Sequence, residues 1–484
     1  MLEPLHSAVA ANRFGLGARP GDLDRIGRQP REWLAAQLTG PAPQLTDAGL
    51  RSSADILAQG LEVRRELRAA RRAAGAGNAA AGERNAAAPT DATDQANAAA
   101  ALLKVGQIYR PIYVAEATAR LREAVATDRP FVERLTWFWT NHFAVSVDKN
   151  LVLGLAGSLE REAIRPNVLG HFTDLLLAVE RHPAMLLYLD NHVSVGPHSK
   201  AARALDRRDR NRRAGINENL AREIMELHTL GVGGGYTQTD VTAFAEVLTG
   251  WSIGGEAGRL KRGEPGQFLF RPELHEPGSK VVLGRRYSDQ GYQEGVSVLH
   301  DLAAHPSTAR FVATKLARHF IADEPPPRAV ERIAAAFRDS HGHLPAVYRA
   351  LLESPEAWSP DLVKYKTPND YIVSTFRGLD LPVDGGRSPL APFELLGQRV
   401  YSPGSPAGWP DRSADWDGAS ALLKRIEWAD AVGQRVGNRR DAAALAPQLL
   451  GESLSESTRK AIARASSGSQ AIALLLASPE FMRR

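Results

Sequence analysis

The chain has 484 residues, of which 43% are hydrophobic and 24% are charged, a composition typical of globular proteins. This length exceeds what one compact core usually serves, so we expect two or three domains or subdomains. A net charge of +5 is small for such a chain: it permits an acidic partner but does not indicate nucleic-acid binding. The absence of cysteine excludes disulfides, thiolate metal sites and a cysteine nucleophile.

Export and membrane signals are absent from the sequence. No stretch approaches the roughly eighteen uninterrupted apolar residues that a transmembrane helix needs. The first residues, "MLEPLHSAVAANRFGLGARPGD", lack the basic start and the long apolar run of a signal peptide. We therefore predict a cytoplasmic location, with export together with a partner protein as the alternative.

Helical patterns dominate the sequence. An Ala/Asn/Gly-rich tract over 75–100 interrupts them and predicts a flexible linker between two helices. Alternating apolar residues over 266–287, around a Pro-Gly turn, predict a single β-hairpin. The expected fold class is mainly α, a multi-helix globular fold with one small β-hairpin element. The expected helices cover 22–38 (two, around Pro30), 52–74, 129–143, 172–190 (two, meeting at Pro183), 240–252 (with Asp240 as N-cap), 305–323 (with Ser307 and Thr308 as N-cap residues), 344–358 and 469–484.

These patterns divide the chain into four parts. We predict an N-terminal helical segment over 1–74 and a low-complexity linker over 75–100. A central helical domain covers 101–255, and the β-hairpin with a C-terminal helical domain covers 256–484.

A basic run lies between residues 196 and 215. We interpret it as a mobile, solvated surface loop, because charge runs are usually solvated. The alternative is an anion-binding lid over a nearby site. Nucleic-acid binding ranks lowest, since no recognised binding motif accompanies the arginines. The basic side chains are Lys200, Arg203, Arg207, Arg208, Arg210, Arg212 and Arg213.

The stretch "NENLAREIMELHTLGVGGGYTQTDV", residues 217–241, concentrates acidic side chains and a histidine. On a helical wheel Asn219, Glu223 and Glu226 lie within roughly 60° of one another. They form either a solvated face, in which Glu218 pairs with an arginine one turn away, or a polar stripe that faces other polar helices. His228 falls on the opposite, apolar side. We expect it to be buried, hydrogen-bonded and outside any ligand shell that contains Glu226.

Further polar residues suggest chemistry. His142 stands in "WFWTNHF", where the aromatic surround could tune an acid–base group or a metal ligand; the alternative is a core histidine bonded to backbone. His142, His182 and Asp190 offer two imidazoles and a carboxylate, a set suited to a divalent metal. We expect convergence of five catalytic candidates, which are His142, Asp190, Asn217, Glu223 and Glu226, with Asn217 or Asn219 as a substrate hydrogen-bond donor.

Several stretches carry a family resemblance: "ANRFGLGARPGD", "LTWFWTNHFAVS", "EREAIRPNVLGHFTDLLLAVERHPAMLLYLDN", the 217–241 stretch, "LTGW", "HPSTARFVATKLARHF" and "GQRVYSPGSPAGWPD". With them the chain resembles the bacterial family catalogued as domain of unknown function 1800. The resemblance implies no established activity. It implies, as partner, an exported protein encoded nearby that resembles sulfatases and phosphatases. Many members carry export signals, and this sequence departs from them in showing none.

The sequence thus leads to two functional hypotheses. The first is an enzyme, hydrolase-like and with a divalent metal as an optional cofactor, whose pocket contains buried His, Glu and Asp side chains. The alternative is a non-catalytic binding or assembly partner of an exported enzyme, in which the same residues form a structural polar network.

Overall fold

The computed structural model describes residues 3–47, 49–63, 91–206, 215–255, 263–383 and 389–484. The chain is 60% helical and has two small antiparallel sheets of two strands each in the described part, which confirms the mainly α prediction. Across these ranges, no helix combines the length and apolar character needed to cross a membrane.

Helices follow one another with short connections through the first half of the chain. Many begin with a proline in the first turn, where the missing N–H is not needed for a helical hydrogen bond. The helices are α1 (Glu3–Val9), α2 (Asp22–Ile26), α3 (Pro30–Ala36), α4 (53–63), α5 (Asp91–Ala126), α6 (Pro130–His142), α7 (Ala156–Leu159), α8 (Phe172–Glu180), α9 (Pro183–Tyr188), α10 (Lys200–Asp206), α11 (Asn219–Glu223) and α12 (Gln238–Leu248). Three π-helical turns cover Ala10–Phe14, Glu160–Ile164 and Ile224–His228.

The second half contains the strands and the remaining helices. The strands are β1 (Trp251–Ile253), β2 (Phe268–Phe270), β3 (Lys280–Val282) and β4 (Arg285–Tyr287). The helices are α13 (Tyr292–Ala304), α14 (Pro306–Phe320), α15 (Pro327–Asp339), α16 (Leu344–Leu352), α17 (Pro368–Gly378), α18 (Ala391–Leu395), α19 (Ala419–Val436), α20 (Ala442–Leu450), α21 (Glu456–Ala463), α22 (Gly468–Leu476) and α23 (Pro479–Met482).

Most expected helices are confirmed, but two helix starts differ from the prediction. Thr237, not Asp240, caps α12, and Asp240 occupies the third helical position of a reciprocal capping box. His305 caps α14 by accepting the N–H of Ser307, so the helix begins at Pro306, ahead of Ser307 and Thr308, which we expected as its N-cap residues. In both cases a side chain just upstream of the predicted cap satisfies the free backbone donors.

A β-hairpin, formed by β3 and β4, lies within the predicted stretch 266–287, but its turn is not the Pro-Gly turn that we expected. β2 pairs with β1, in a register that places Trp251 opposite Phe270. β3 instead pairs with β4 across Leu283-Gly284, rather than with β2 across the Pro-Gly turn. The partner of β2 comes from outside the stretch in which we sought the hairpin, so an alternation pattern alone could not identify it.

Two segments that we predicted as loops are partly helical. Residues 91–100 of the expected linker belong to α5, because alanine-rich sequence favours helix. Lys200–Asp206 of the basic run form α10. The rest of the linker, 75–90, and residues 207–214 of the basic run lie outside the described residues, as does 64–74 of the helix expected over 52–74.

One hydrophobic core extends through the described chain, from Val9 to Met482. Its aromatic centre joins the N-terminal π-helical turn to α6 and α14, since Phe14 packs against Phe131 and Phe320 at ring-centroid distances of 5.8 Å. The division into four parts stays a prediction. This shared core fixes the last turns of α6 and α14 relative to each other, and the candidate site lies between them.

Candidate functional site

A cavity of about 400 Å³ lies between α6, α14, the start of α17 and the segment 398–415. Its volume is in the range of small-molecule sites. Three stretches singled out in the sequence, those that contain His142, His319 and Asp411, meet here. The lining includes the aromatic residues Trp137, Phe138, Phe143, Tyr401 and Trp409, and the charged or titratable residues Arg120, Arg134, His142, Lys315, Arg318, His319, Asp370, Asp411, Arg412 and Asp415.

His319 and Asp411 form a hydrogen-bonded pair on the cavity wall. The Nδ1 atom of His319 lies 3.2 Å from both carboxylate oxygens of Asp411. Since a carboxylate accepts, Nδ1 carries the proton and Nε2 is left with its lone pair. This Nε2 is buried and has no hydrogen-bond partner in the described part of the chain. Burial lowers the pKa of His319, against the opposing effect of Asp411, and so favours the neutral imidazole.

Asp411 is held in place by a neighbouring lysine. The buried Lys364 ammonium donates to the backbone carbonyl of Asp411 and, at 2.6 Å, to a carboxylate oxygen of Asp323. Burial by itself would raise the pKa of Asp411, but His319, through its charge when protonated and through its hydrogen bond, and the charge of Lys364 lower it to about 2. Asp411 therefore stays ionised and can orient the imidazole over the whole physiological pH range.

The adjoining loop is clamped to α6 by Asn141. Its side chain donates to the carbonyl of Trp409 at 2.9 Å and accepts the Trp409 N–H at 2.7 Å. Gly408 has a φ of 83°, and a Cβ there would lie 2.3 Å from the Asn141 carbonyl oxygen. Only glycine fits this close approach. The "TNHF" and "GWPD" sequences thus bring Trp409 and Asp411 to the cavity.

An ion network lies behind the pair. The buried carboxylate of Asp370, in the first turn of α17, contacts Arg134 at 3.0 Å and Arg484 at 3.1 Å. Arg484 also donates to the carbonyl of His319 at 2.9 Å. Burial would raise the pKa of Asp370, but the two arginines hold it well below its usual range. The end of α14 that carries His319 is therefore fixed by charged groups as well as by packing.

His142 lies on the same cavity, at the end of α6. Its Nε2 atom is 3.0 Å from the backbone carbonyl of His228, so Nε2 carries the proton and Nδ1 is the acceptor. Nδ1 is buried and has no partner among the described residues. Burial, and to a smaller extent the charge of Lys315, hold the pKa of His142 well below its usual value. His142 is thus a neutral, buried histidine bonded to backbone that still lines the cavity.

Lys315 stands one helical turn before His319 on α14. Its ammonium makes no hydrogen bond or ion pair with any part of the chain that the structure describes, and it lies 5.6 Å from the centre of the Phe311 ring. Burial lowers the pKa of Lys315 to about 8, although Asp411 opposes the shift. A lysine in this state can supply a cation or, near neutral pH, exchange a proton.

The expectation for His228 is confirmed. It is fully buried, and its Nδ1 atom lies 2.8 Å from a carboxylate oxygen of Glu180 on α8. The 217–241 stretch therefore reaches the cavity through the carbonyl of His228, which orients His142. The acidic face of the stretch contains the expected Glu218–Arg222 pair at 2.9 Å.

The five catalytic candidates do not line one cavity. Asp190 forms an ion pair with Lys149 at 2.7 Å, and the side chain of Asn217 lies 3.4 Å from the Asp190 carbonyl. Glu223 and Glu226 are partly buried but do not line the cavity that His142 lines. Burial raises the pKa of Glu223. A catalytic role for these four residues stays a prediction.

The expected metal ligands have separate partners. His182 caps α9 by accepting the N–H of Ala184, and its other nitrogen lies 3.2 Å from Glu162. His142 bonds to backbone, as described, and Asp190 pairs with a lysine. Within the described ranges, the ligand atoms of His142, His182 and Asp190 do not form a metal-binding group. Their spacing along the sequence could not show this, since they come from different helices.

A different group has ligand spacing. His275, Asp289 and Glu294 place one ligand atom each within 4.8 Å of one another. The buried Lys280 ammonium, however, lies 3.1 Å from the Glu294 carboxylate and 3.5 Å from the nitrogen of His275. Because the lysine already supplies the positive charge there, this group is a salt-bridge cluster.

Sequence reasoning missed Lys315, His319 and Asp411. The spacing of Lys315 and His319, at i and i+4 of an expected helix, would have placed both on one face. Asp411 follows Trp409 and Pro410 in a quoted stretch, yet nothing in the sequence pairs it with His319. Nothing in the sequence marked Arg134 and Asp370 as buried residues of the cavity, because a charged residue on a helix usually faces solvent.

Comparison with known proteins agrees with the sequence resemblance. The family described as "Protein of unknown function (DUF1800)" matches residues 9–483. The chain belongs to the DUF1800 family. No curated protein and no solved structure matches it significantly. The family match includes every residue of the cavity, but its description assigns no activity, so the chemistry of the site is the available guide to function.

Proposed function

We propose that this DUF1800 protein is an enzyme that carries out hydrolase-like acid–base catalysis on a small substrate in the cavity. The observation that carries the proposal is the His319–Asp411 pair: the Nε2 atom of His319 is buried on the cavity wall, with no hydrogen-bond partner in the part of the chain that the structure describes. Buried polar atoms nearly always have a hydrogen-bond partner, so exceptions call for an explanation. Among the described residues, four more atoms without a hydrogen bond belong to cavity-lining residues: His142 Nδ1, Asn369 Oδ1, Asp370 Oδ2 and Trp409 Nε1. Of these, only Asp370 Oδ2 has an ion-pair partner, Arg484.

The geometry supports a specific division of roles. Asp411 holds His319 so that Nε2 can take a proton from water, and it stabilises the imidazolium that forms. The water oxygen bonds to the electrophilic centre of the substrate, and the imidazolium then returns the proton to the leaving group. Lys315 stabilises negative charge that develops on the substrate. Charge stabilisation of this kind is usually a large part of the catalytic effect.

A divalent metal stays a prediction for this protein. The unpartnered nitrogens of His142 and His319 are neutral imidazole nitrogens, the form that ligates metals. Elemental analysis of the purified protein, with and without prior chelation, tests this point directly.

The test of the enzyme proposal is an activity screen with matched variants. Wild-type protein is assayed against chromogenic esters, amides, phosphates, sulfates and glycosides. His319→Asn keeps a donor for Asp411 but lacks the acceptor nitrogen, so we expect a loss of roughly 100-fold or more in kcat with little change in Tm. The exposed His300 provides the control, and His300→Asn should retain full activity.

Two results would contradict the assignment. Full activity in His319→Asn would show that the His319–Asp411 pair is not the catalytic group. Loss of activity in Glu223→Gln, with His319→Asn active, would move the active site to the acidic face of the 217–241 stretch.

One observation favours the alternative, a non-catalytic partner of an exported sulfatase- or phosphatase-like protein. α19 exposes Leu422, Leu423 and Ile426, with 40–57% of each residue accessible, and exposed apolar groups mark interaction sites. Under this alternative the cavity is a structural polar network. Co-purification with the protein encoded nearby, lost when Leu423→Lys is introduced and retained in His319→Asn, would support it.

A further inference from the structure

The buried acidic side chains that line the cavity all have cationic partners. Asp370 is satisfied by two buried arginines, and Asp411 is taken by His319 and Lys364. The remaining acid of the lining, Asp415, is exposed to solvent. The buried carboxylates of the cavity thus already have their cations and leave little negative charge for a further positive group.

Within the described ranges, two cations of the lining have no carboxylate partner. Lys315 makes neither a hydrogen bond nor an ion pair within the described residues. Arg318 donates through Nε to the carbonyl of Asp323 at 3.2 Å, and no ion pair involves it in the described chain. The two residues are three apart on α14, so their side chains leave the same face of the helix. Each adds to the positive charge felt by the other, a costly arrangement without an anion.

The surroundings suit an organic anion. Phe138 and Trp409 supply apolar surface to the cavity that the cations line, and the Trp409 indole N–H is buried without an acceptor among the described residues. Charge–charge attraction is stronger beside such apolar walls than in water. The ammonium, the guanidinium and the indole N–H are donors that an oxyanion bound in the cavity would find along its wall.

We infer that Lys315 and Arg318 form an anion subsite that binds a carboxylate, sulfate or phosphate group of a small organic molecule. In taking this molecule to be the substrate, the inference rests on the proposed function. Lys315 and His319 lie one helical turn apart, so the anionic group sits close to the bond that His319 acts on. The substrate is therefore a small acid with an apolar or flat body that packs on Phe138 and Trp409.

Calorimetric titration with matched probes tests the subsite, and it is done in the His319→Asn background so that hydrolysis of the ester probes does not contribute heat. Benzoate, phenyl sulfate and phenyl phosphate are compared with benzamide, a neutral molecule of the same shape as benzoate. We expect at least one anion to bind tenfold or more tightly than benzamide. The probe that binds most tightly identifies the anionic group, carboxylate, sulfate or phosphate, that the subsite prefers. Lys315→Met should remove this preference, whereas Lys424→Met, at an exposed position of α19, should leave it unchanged.

The outcomes separate this inference from the proposed function. His319→Asn should still bind the anion, although its kcat is lowered by roughly 100-fold or more. If the wild type binds the anion but turns over no substrate, the anion subsite is supported and the proposal of an enzyme is contradicted. Equal affinity for the anions and benzamide, or an unchanged preference in a folded Lys315→Met variant, would overturn the subsite even if the enzyme is active. Circular dichroism and Tm establish that each variant is folded, and Lys315→Arg should keep the preference.

Discussion

Histidine roles in this chain depend on the hydrogen-bond partner. His182 and His305 accept backbone N–H groups at the starts of helices, so they act as caps. His142 and His319 each donate one ring N–H, to a carbonyl and to a carboxylate, and each retains an acceptor nitrogen. The hydrogen-bond partner fixes the tautomer. Of these two pairs, only His142 and His319 keep a free acceptor nitrogen that can take a proton from a substrate.

We predict a bell-shaped pH dependence of kcat/KM. Burial lowers the pKa of His319, so activity should rise with pH as the imidazole loses its proton, with a midpoint below the usual 6.5. Activity should fall again near pH 8, where Lys315 loses its proton. In Lys315→Arg the alkaline limb should move well above pH 8, because arginine stays charged. A flat wild-type profile from pH 5 to pH 9 would contradict both assignments.

At the scale of elements, the π-helical turn Ile224–His228 explains the 217–241 stretch. It ends the helix so that the His228 carbonyl accepts from His142, while the His228 ring pairs with Glu180. Gly231 follows with a φ of 82°, and a Cβ there would lie 2.6 Å from the Phe311 ring. The glycine therefore lets the chain turn against α14, close to Lys315.

We predict that His228→Ala affects stability much more than catalysis. The substitution leaves the Glu180 carboxylate buried without a partner, a change that typically costs about 3–5 kcal/mol. The backbone carbonyl that orients His142 is retained, so kcat of the folded fraction should stay near the wild-type value. Urea unfolding and kcat, measured on the same samples, test whether the substitution lowers the free energy of unfolding but not the rate of catalysis.

A second variant keeps this prediction testable if His228→Ala is poorly folded. Adding Glu180→Leu removes the unpaired carboxylate, and it should restore part of the lost free energy of unfolding. Unchanged stability with lost activity in His228→Ala would place His228 in the catalytic machinery.

At the scale of the whole molecule, the cavity depends on contacts between distant parts of the chain. Arg134, Asp370 and Arg484 come from three separate segments, and their ion pairs support the carbonyl of His319. Phe14 and Phe320 stack within the same core. Loss of one of these contacts should therefore weaken the fold and the site together.

We predict that Asp370→Asn destabilises the protein by about 3–5 kcal/mol at neutral pH, because it leaves two arginines buried without a carboxylate. The pKa of Asp370 is lowered in the folded state. Its stabilising effect is thus fully present above the unfolded pKa of about 3.9 and is lost as the pH falls further.

Urea unfolding at pH 7 and at pH 3 measures this effect. The difference between wild type and Asp370→Asn should be large at pH 7 and smaller at pH 3. The exposed Asp339 on α15 is the control, and Asp339→Asn should change stability by less than about 0.5 kcal/mol. A loss below about 1 kcal/mol for Asp370→Asn would show that the arginines are satisfied without it.

The sequence by itself determined the features that depend on neighbours along the chain. Helical periodicity and proline positions predicted α3, α9 and most other helices, and a helical wheel predicted the burial of His228. These predictions succeeded because the spacing of apolar residues and the fixed φ of proline act within a few residues. The quoted stretches also indicated the family, and the match over residues 9–483 confirms it.

Only the tertiary structure decided which residues meet. His142, His319 and Asp411 are far apart in sequence, and nothing local indicates that α6, α14 and the 398–415 segment enclose one cavity. The tautomers of the two histidines and the lowered pKa of Lys315 follow from hydrogen bonds and burial that exist only after packing. The pairing of β2 with β1 was hidden for the same reason, since strand pairing is a contact between segments and an alternation pattern describes one segment alone.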